Sequence, residues 1–146
     1  DMLDNYLHKQ ANQDIKRKLS ACFVLKDQET HLLKGYYTLA NNSLAQNLIP
    51  SEFQKKLPNS YESIPTTLLG RLAIDNRFQK QGIGKLLLID ALRRSHEISK
   101  SIGSFAVVVD PIDKDAERFY DKYGFIKLPD SGKMFLPMNT IKTLFE

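Results

Sequence analysis

One stretch of the sequence, residues 68–103, restricts the folds that this chain can adopt. Its first part, residues 68–74, is a short apolar run that contains a glycine, which predicts a mostly buried strand ending near Asp75. A charged turn occupies residues 76–81. Apolar residues then recur at helical spacing and Gly103 follows them, which predicts a helix of about 20 residues. These apolar residues are Ile83, Leu86, Leu87, Ala91, Leu92 and Ile98.

The turn between this strand and this helix has the layout of a phosphate-binding loop. The first amides of a helix have no intrahelical acceptor and lie at the positive end of the helix dipole. Gly82 and Gly84 have no Cβ, so an anion can approach those amides closely. Arg77, Lys80 and Lys85 add positive charge. Short G-x-G turns more often only join a strand to a helix, so the turn alone leaves both interpretations open.

Two common phosphate motifs are absent from this stretch. It lacks the G-x-x-x-x-G-K-[ST] pattern of a P-loop, which excludes a triphosphate site of that kind. The G-x-G-x-x-G pattern of dinucleotide-binding folds also fails, because Leu87 stands where the third glycine is needed. The loop therefore belongs to another class of phosphate-binding protein, or to none.

Composition indicates one soluble globular domain that covers all 146 residues, with 42% hydrophobic and 26% charged residues. No apolar run is long enough to cross a bilayer and the first residues are acidic, which predicts a cytoplasmic protein without a signal peptide. The sequence starts with Asp1, so we expect native residues, including a first strand, to precede it. A net charge of +4 permits binding to a polyanion such as CoA or RNA without requiring it.

The first part of the chain predicts a helix, a hairpin and a long irregular segment. Residues 1–18 carry a four-residue apolar repeat typical of one helix or two short ones. Residues 21–26 and 32–40 predict the two strands of a hairpin, in which Gly35 marks a bulge or a close backbone approach. Three prolines break residues 41–65, where Ser51 would cap a helical turn. We expect this segment to form a wall of the acceptor pocket.

The second part alternates strands with helices. Residues 104–110 form a β-branched run typical of a buried parallel strand, and residues 113–123 predict a short helix that Gly124 ends. Residues 125–128 and 134–138 predict a closing pair of strands, and the tail predicts a brief helix or a frayed end. This order predicts an α+β domain on a mixed sheet whose middle section is parallel.

The loop and its flanking elements resemble those of the GNAT superfamily of N-acetyltransferases. Residues 79–84 read QKQGIG and match the family pattern [QR]-x-x-G-x-[GA]. The order of elements, from about Leu3 to Leu136, is similar to the GNAT fold, a mixed, mostly antiparallel sheet with a parallel central pair flanked by helices. Gln79 replaces the arginine of many members, so one fixed charge is missing.

This resemblance implies that acetyl-CoA is the cosubstrate. Family members hold its pyrophosphate on the loop amides and its pantetheine arm along the backbone of the preceding strand. The residues that the resemblance assigns to the cofactor are Leu72, Ala73, Ile74, Gln79, Lys80, Gln81, Gly82, Ile83, Gly84 and Lys85.

A second motif, A-x-x-F-Y-x-x-x-G-F, runs from Ala116 to Phe125 and contains Tyr120. Without a family, Tyr120 is interpreted as a core aromatic residue whose hydroxyl is satisfied locally. The resemblance instead implies that Tyr120 is the general acid toward the CoA thiolate as it departs, and that the amine attacks without an acyl-enzyme.

Several segments are similar to a narrower branch, the GNAT toxins of type II toxin–antitoxin modules. They are GYYTLA at residues 35–40, GRLA at residues 70–73 and LDNYL at residues 3–7. That resemblance implies acetylation of the α-amino group of aminoacyl-tRNA, and a small DNA-binding antitoxin as partner. The oligomeric state stays open, a homodimer being one alternative. Residues assigned to the tRNA-facing surface are Arg71, Arg77, Arg93 and Arg94, with Lys80.

No residue stands out as a general base. Asp75 and Asp110 follow strands, where aspartate is ordinarily a turn former. The three histidines, His8, His31 and His96, are expected on helix or turn surfaces and have no metal-ligand spacing. Cys22 lies in an apolar run and is expected to be a buried, inert thiol. Without a strong base the site suits an α-amine, whose pKa is near 8, better than a lysine, whose pKa is about 10.4.

Two alternatives remain at this point. One is the same acetyl transfer to a small amine or to a protein N-terminus. The other is a CoA- or RNA-binding module without turnover.

Overall fold

The structure is a computed structural model, and it describes residues 17–146. In this part of the chain there are six β-strands and four α-helices, with short 3-10 turns at Gln46–Leu48 and Asn76–Phe78. The strands are β1 (Ala21–Lys26), β2 (Leu33–Ala45), β3 (Ser63–Ile74), β4 (Ala106–Val109), β5 (Ile126–Lys127) and β6 (Met134–Pro137). The helices are α1 (Ser51–Gln54), α2 (Ile83–Ser99), α3 (Lys114–Lys122) and α4 (Met138–Phe145).

The six strands form one mixed sheet in the order β1-β2-β3-β4-β6-β5. Strands β3 and β4 are parallel, with Thr67 opposite Val107 and Leu68 opposite Val108. Antiparallel pairs join β1 to β2, β4 to β6 and β5 to β6. The predicted fold class, α+β with a parallel central pair in a mostly antiparallel sheet, is therefore confirmed.

Contacts divide the chain into two compact units. One consists of the residues up to Ala40 together with Leu69–Leu92, and the other consists of Asn41–Leu68 and Arg93–Glu146. Strands β2 and β3 and helix α2 each contribute residues to both units.

In the first unit, Gly35 is required by its surroundings. A Cβ at this position would lie 2.6 Å from the Ala73 carbonyl oxygen and 2.9 Å from Leu87 Cδ1. The register of β1 against β2 also shifts here, between the Leu25–Gly35 and Lys26–Leu33 pairs. Both predicted meanings of this glycine, an irregularity in the ladder and a close backbone approach, are confirmed.

The second unit has its own hydrophobic core, formed by residues from four strands and from the segments between them. Phe53 of α1 packs edge-on against Phe135 at a ring distance of 5.3 Å, and Phe105 stacks on the same ring at 6.3 Å. The buried members are Leu44, Ile49, Ile64, Ala106, Val108, Leu128 and Phe135. The β-branched run at Ala106–Val109 is fully buried, as the sequence predicts.

The segment predicted to be irregular, residues 41–65, is partly regular. Strand β2 continues to Ala45 and β3 starts at Ser63. Gln46 fastens the connection, because its side-chain amide donates to the carbonyls of Pro58 (3.0 Å) and Tyr61 (2.8 Å). The predicted Ser51 cap is wrong: Pro50 is the N-cap residue of α1 and no side chain caps this helix. A role for the segment as a pocket wall stays a prediction.

Helix α2 is 17 residues long and ends at Ser99, before the predicted stop at Gly103. Two residues of the predicted apolar stripe are exposed: Leu86 at 60% and Ile98 at 41%. The buried face instead continues through Leu92 to Ser95 and His96, because a stripe that repeats every three or four residues reaches those positions.

The closing elements agree with the sequence. Asp113 caps α3 by accepting a hydrogen bond of 2.8 Å from the Ala116 amide, and Gly124 follows the helix with a φ of +93°. The tail is a helix, α4, with Met138 and Ile141 buried. The predicted helix at residues 1–18 lies outside the described residues, except for Arg17 and Lys18, which are in a turn. Among the described residues, no helix has the length and apolarity needed to span a membrane.

Candidate active site

The loop that opens helix α2 has the backbone of an anion-binding turn. Lys80 and Gly82 have φ values of +65° and +76°, which bend the chain sharply before the helix. The first intrahelical hydrogen bond runs from the Leu86 amide to the Gly82 carbonyl at 3.2 Å. The amides of Ile83, Gly84 and Lys85 precede that bond, so they are the donors that a helix start offers to an anion.

Space around this loop also suits a ligand. Among the described residues, nothing lies within 4 Å of a Cβ placed on Gly82. The four residues from Gln79 to Gly82 are exposed, whereas Ile83 and Gly84 are buried and anchor the helix start. The predicted loop residues therefore form one turn, and residues 79–82 of that turn are accessible to a ligand from solvent.

Asp75 forms the turn that leads into this loop. Its Oδ1 accepts hydrogen bonds from the amide and Nε of Arg77, both at 2.9 Å, and its Oδ2 accepts from Nη2 at 3.1 Å. These bonds hold the pKa of Asp75 at about 2, below its ordinary value. A carboxylate engaged in this way is a turn former and a poor general base, as the sequence analysis expects.

The strand residues predicted to lie along the pantetheine arm, Leu72 to Ile74, occupy the end of β3. The pairing of β3 with β4 ends at Leu68, so residues 72–74 lie beyond it along β3. One residue before them, the Arg71 amide donates to the Thr38 side-chain hydroxyl at 3.0 Å.

Tyr120 lies on α3 and is buried, with 8% of its surface exposed. Its ring packs against Phe119 and Phe125, each at a centroid distance of 5.2 Å. No hydrogen bond to its hydroxyl is found within residues 17–146, so the expected local partner for the phenol is absent from this part of the chain. The hydroxyl is also not among the fully buried polar atoms that lack a partner. Burial raises the pKa of Tyr120 to about 12, which keeps the phenol neutral at physiological pH.

The four arginines predicted to face tRNA are on three elements of the chain. Arg71 is half-buried on β3, and Arg77 is paired with Asp75. Arg93 and Arg94 are exposed on α2, and the Arg93 guanidinium lies 5.3 Å from the centre of the Phe145 ring. Arg77 and Arg93 thus already have partners within the chain, so their roles toward a substrate stay predictions.

Two other expectations need correction. His96 was expected on a surface, but its side chain is only 5% exposed, because it continues the buried face of α2. Cys22 was expected to be buried, but it is only half-buried on β1, with a thiol pKa raised by desolvation. His31 is exposed in a turn, as predicted, whereas His8 is outside the described residues. No cluster of metal-ligating side chains occurs in the described part of the chain.

One polar pair in the first unit is not predicted by the sequence. The hydroxyl of Tyr37, which is 1% exposed, donates a hydrogen bond to the carboxylate of the half-buried Asp90. This bond joins strand β2 to helix α2, the helix that follows the glycine turn. A signal was present, because Asp90 follows Ile83 by seven residues and so falls on the apolar face of the helix.

Comparison with known proteins identifies the family. Residues 61–139 match the model of the acetyltransferase (GNAT) domain. A protein of Mycobacterium tuberculosis named tRNA-acetylating toxin is 35% identical over 144 residues, which cover 97% of this chain and 83% of that protein.

Solved structures agree with this match. The structure of AtaT complexed with acetyl-methionyl-tRNAfMet has a TM-score of 0.90 and 30% identity, covering 99% of this chain and 86% of that one. A tyrosine-to-phenylalanine mutant of the AtaT toxin, bound to acetyl-CoA and to the C-terminus of the antitoxin AtaR, has a TM-score of 0.80 and 26% identity, covering 99% and 84%. The chain with the glycine turn at residues 79–84 and the buried phenol of Tyr120 belongs to the GNAT family of acetyltransferases.

Proposed function

We propose that this protein is an acetyl-CoA-dependent N-acetyltransferase that acetylates the α-amino group of aminoacyl-tRNA and thereby inhibits translation. The observation that carries this proposal is the similarity to a tRNA-acetylating toxin over 97% of the chain. A related solved toxin contains acetyl-methionyl-tRNA, the product of such a reaction. Because aminoacyl-tRNA is used in the cytoplasm, the proposal includes a cytoplasmic location.

The loop would hold the diphosphate of acetyl-CoA. The positive φ of Gly82 turns the chain so that the amides at the start of α2 point outward, and the helix dipole favours the negative charge there. Lys80 and Lys85 are exposed and add charge beside those amides. The backbone of Leu72, Ala73 and Ile74 would run along the pantetheine arm, and an amide near Ile74 would donate to the acetyl carbonyl as it becomes an oxyanion.

Tyr120 would stabilise the thiolate that leaves. Burial raises its pKa to about 12, so the phenol is neutral at physiological pH and carries the proton that this role requires. It would donate a hydrogen bond or that proton to the thiolate as the negative charge develops. The absence of a partner for this hydroxyl among the described residues supports this role.

The acceptor amine would attack directly. Asp75 is engaged with Arg77, and Asp110 is exposed at the end of β4, so neither is placed as a buried base. An α-amino group has a pKa of about 7.7–8.0 and is partly deprotonated at neutral pH, whereas a lysine amine is almost wholly protonated. The chemistry of the described residues therefore favours an α-amine acceptor.

Partners are part of the same proposal. A related toxin has been solved with acetyl-CoA and with the C-terminus of its antitoxin. We extend both partners to this chain: acetyl-CoA as cosubstrate and a small DNA-binding antitoxin as regulator. The candidate tRNA-facing residues remain Arg71, Arg77, Arg93 and Arg94, and a homodimer remains one alternative for the assembly.

The decisive experiment supplies acetyl-CoA with a labelled acetyl group together with three acceptors: aminoacyl-tRNA, free amino acids and polyamines. We expect label on the aminoacyl-tRNA, and its loss when the aminoacyl ester is hydrolysed beforehand. Label on free amines alone would replace the tRNA substrate with a small amine. No label on any acceptor, with CoA still bound, would instead identify a binding module without turnover.

A further inference from the structure

A cavity of about 350 Å³ lies in the unit formed by residues 41–68 and 93–146. Its wall is formed by the last turns of α2, the turn that follows them and helix α4. The lining residues are His96, Ser99, Lys100, Gly103, Ser104, Met138, Asn139, Lys142 and Glu146. This volume is in the range of small-ligand pockets.

His96 is the unusual group in this cavity. Its side chain is 5% exposed, and neither imidazole nitrogen has a hydrogen-bond partner among the described residues. The ring is held by the stacked ring of Phe145, at a centroid distance of 6.1 Å. A buried polar group without a partner is destabilising, so a buried imidazole ordinarily has a hydrogen-bond partner.

The charges around His96 favour an anion. Three basic groups surround the Glu146 carboxylate: His96 Nε2 at 3.6 Å, Lys142 Nζ at 3.7 Å and Lys100 Nζ at 4.0 Å. All three distances exceed the length of a hydrogen bond, so the carboxylate is a loosely held counter-ion. The Glu146 side chain is also 41% exposed, and an ion pair with this much exposure to solvent contributes little to stability.

We infer that this cavity binds a phosphate group, which takes the place of the Glu146 carboxylate beside His96, Lys100 and Lys142. A phosphate has more acceptor oxygens than a carboxylate and can accept from the imidazole and from both ammonium groups together. The site does not involve acetyl transfer and would stand if the proposed activity failed. The phosphate can belong to a small phosphorylated molecule or to the backbone of an RNA.

The test is a titration of the full chain followed by the NMR resonances of its histidine ring protons, assigned through bonds. Inorganic phosphate is compared with chloride at matched ionic strength. We expect phosphate alone to shift the His96 resonances saturably, with a Kd on the order of 1–10 mM. His31, exposed in a turn outside the cavity, is the internal control and should not respond.

Charge-matched variants separate this site from general electrostatics. Lys142→Gln should raise the phosphate Kd and Glu146→Gln should lower it, each by about twofold to fivefold. Lys122→Gln and Glu52→Gln make the same changes in net charge at exposed positions that do not line the cavity, and should leave Kd unchanged. All four side chains are at the surface, so these variants should fold.

The source of the phosphate is resolved by repeating the titration with a nucleoside 5′-monophosphate and with a short RNA duplex. The probe that saturates the His96 shift at the lower concentration identifies the source of the phosphate, and either result supports the site. The inference is overturned if none of the three probes shifts His96, or if Lys142→Gln and Lys122→Gln change Kd equally.

Discussion

The hydroxyl of Tyr120 is the single group on which the proposed chemistry depends most. We expect Tyr120→Phe to lower kcat by at least about tenfold while leaving the affinity for CoA nearly unchanged, because the lost hydrogen bond forms only as the thiolate develops. Steady-state kinetics with the aminoacyl-tRNA acceptor and a separate CoA binding measurement check this.

Tyr123→Phe is the matched control, because Tyr123 directly follows the same helix and is half-buried. It should retain the wild-type kcat. Equal rates for Tyr120→Phe and the wild type would remove Tyr120 from the mechanism.

Tyr120 should also titrate later than an ordinary tyrosine. Burial raises its pKa to about 12 in the folded state, whereas the value in an unfolded chain is about 10. The folded state therefore favours the neutral phenol. This contribution to stability is fully present below about pH 10 and is lost as pH rises through about 12.

The ultraviolet absorbance of tyrosinate measures this directly. The difference between the titration curves of the wild type and Tyr120→Phe should rise near pH 12. A difference curve centred near pH 10 would show that the phenol is solvated.

Among single residues, the sequence was informative where the reason was local. Asp75 as a turn former depends on residues two positions away, and the structure confirms it. The surface position expected for His96 was wrong, because burial of a helix face depends on which elements cover it. Sequence periodicity alone placed Leu86 and Ile98 on the buried face as well, whereas both are exposed.

Among the elements, the junction of β3 with α2 is where we propose that acetyl-CoA binds. Gly82→Ala should weaken CoA binding severalfold, because the new methyl group stands at the approach to the helix amides. It should also lower the free energy of unfolding by about 1–2 kcal/mol, because an L-residue is strained at positive φ. The observed φ of +76° is in that region. Equilibrium binding of CoA and urea unfolding measure the two effects.

Gly103→Ala is the control for this substitution. Nothing described lies within 4 Å of a Cβ at Gly103 either, but its φ is not in the positive range. Both CoA affinity and unfolding free energy should stay close to the wild type. If Gly82→Ala leaves CoA affinity unchanged, the loop does not hold the diphosphate.

The boundaries of elements show the limits of local patterns. The caps that the sequence identified by residue type, Asp113 and Gly124 on α3, are in place. Ser51 is not a cap, because Pro50 takes that position with its backbone alone. Strands β2 and β3 extend into residues 41–65, which the prolines predicted to be irregular. The side chain of Gln46 donates the hydrogen bonds that secure the connection between the two strands.

For the whole molecule, the two compact units share strands β2 and β3 and helix α2. Because each of these elements belongs to both units, unfolding of one unit would also disrupt part of the other. We therefore expect a single cooperative unfolding transition. This expectation agrees with the predicted single domain. Calorimetry tests it: the calorimetric and van't Hoff enthalpies should be equal. Two resolved heat-absorption peaks would show that the units unfold independently.

The family, the order of elements and the mixed sheet could be predicted from the sequence, whereas the phosphate-binding role of residues 79–84 stays a prediction. These follow from short-range patterns: glycines that permit positive φ, apolar periodicity and helix caps. The three-dimensional structure was needed to show that Gly35 abuts the Ala73 carbonyl, that Tyr37 donates to Asp90, and that His96 is buried beside a cavity. Each of these contacts joins residues far apart in the chain or depends on how helices cover one another, and burial by distant elements leaves no local pattern.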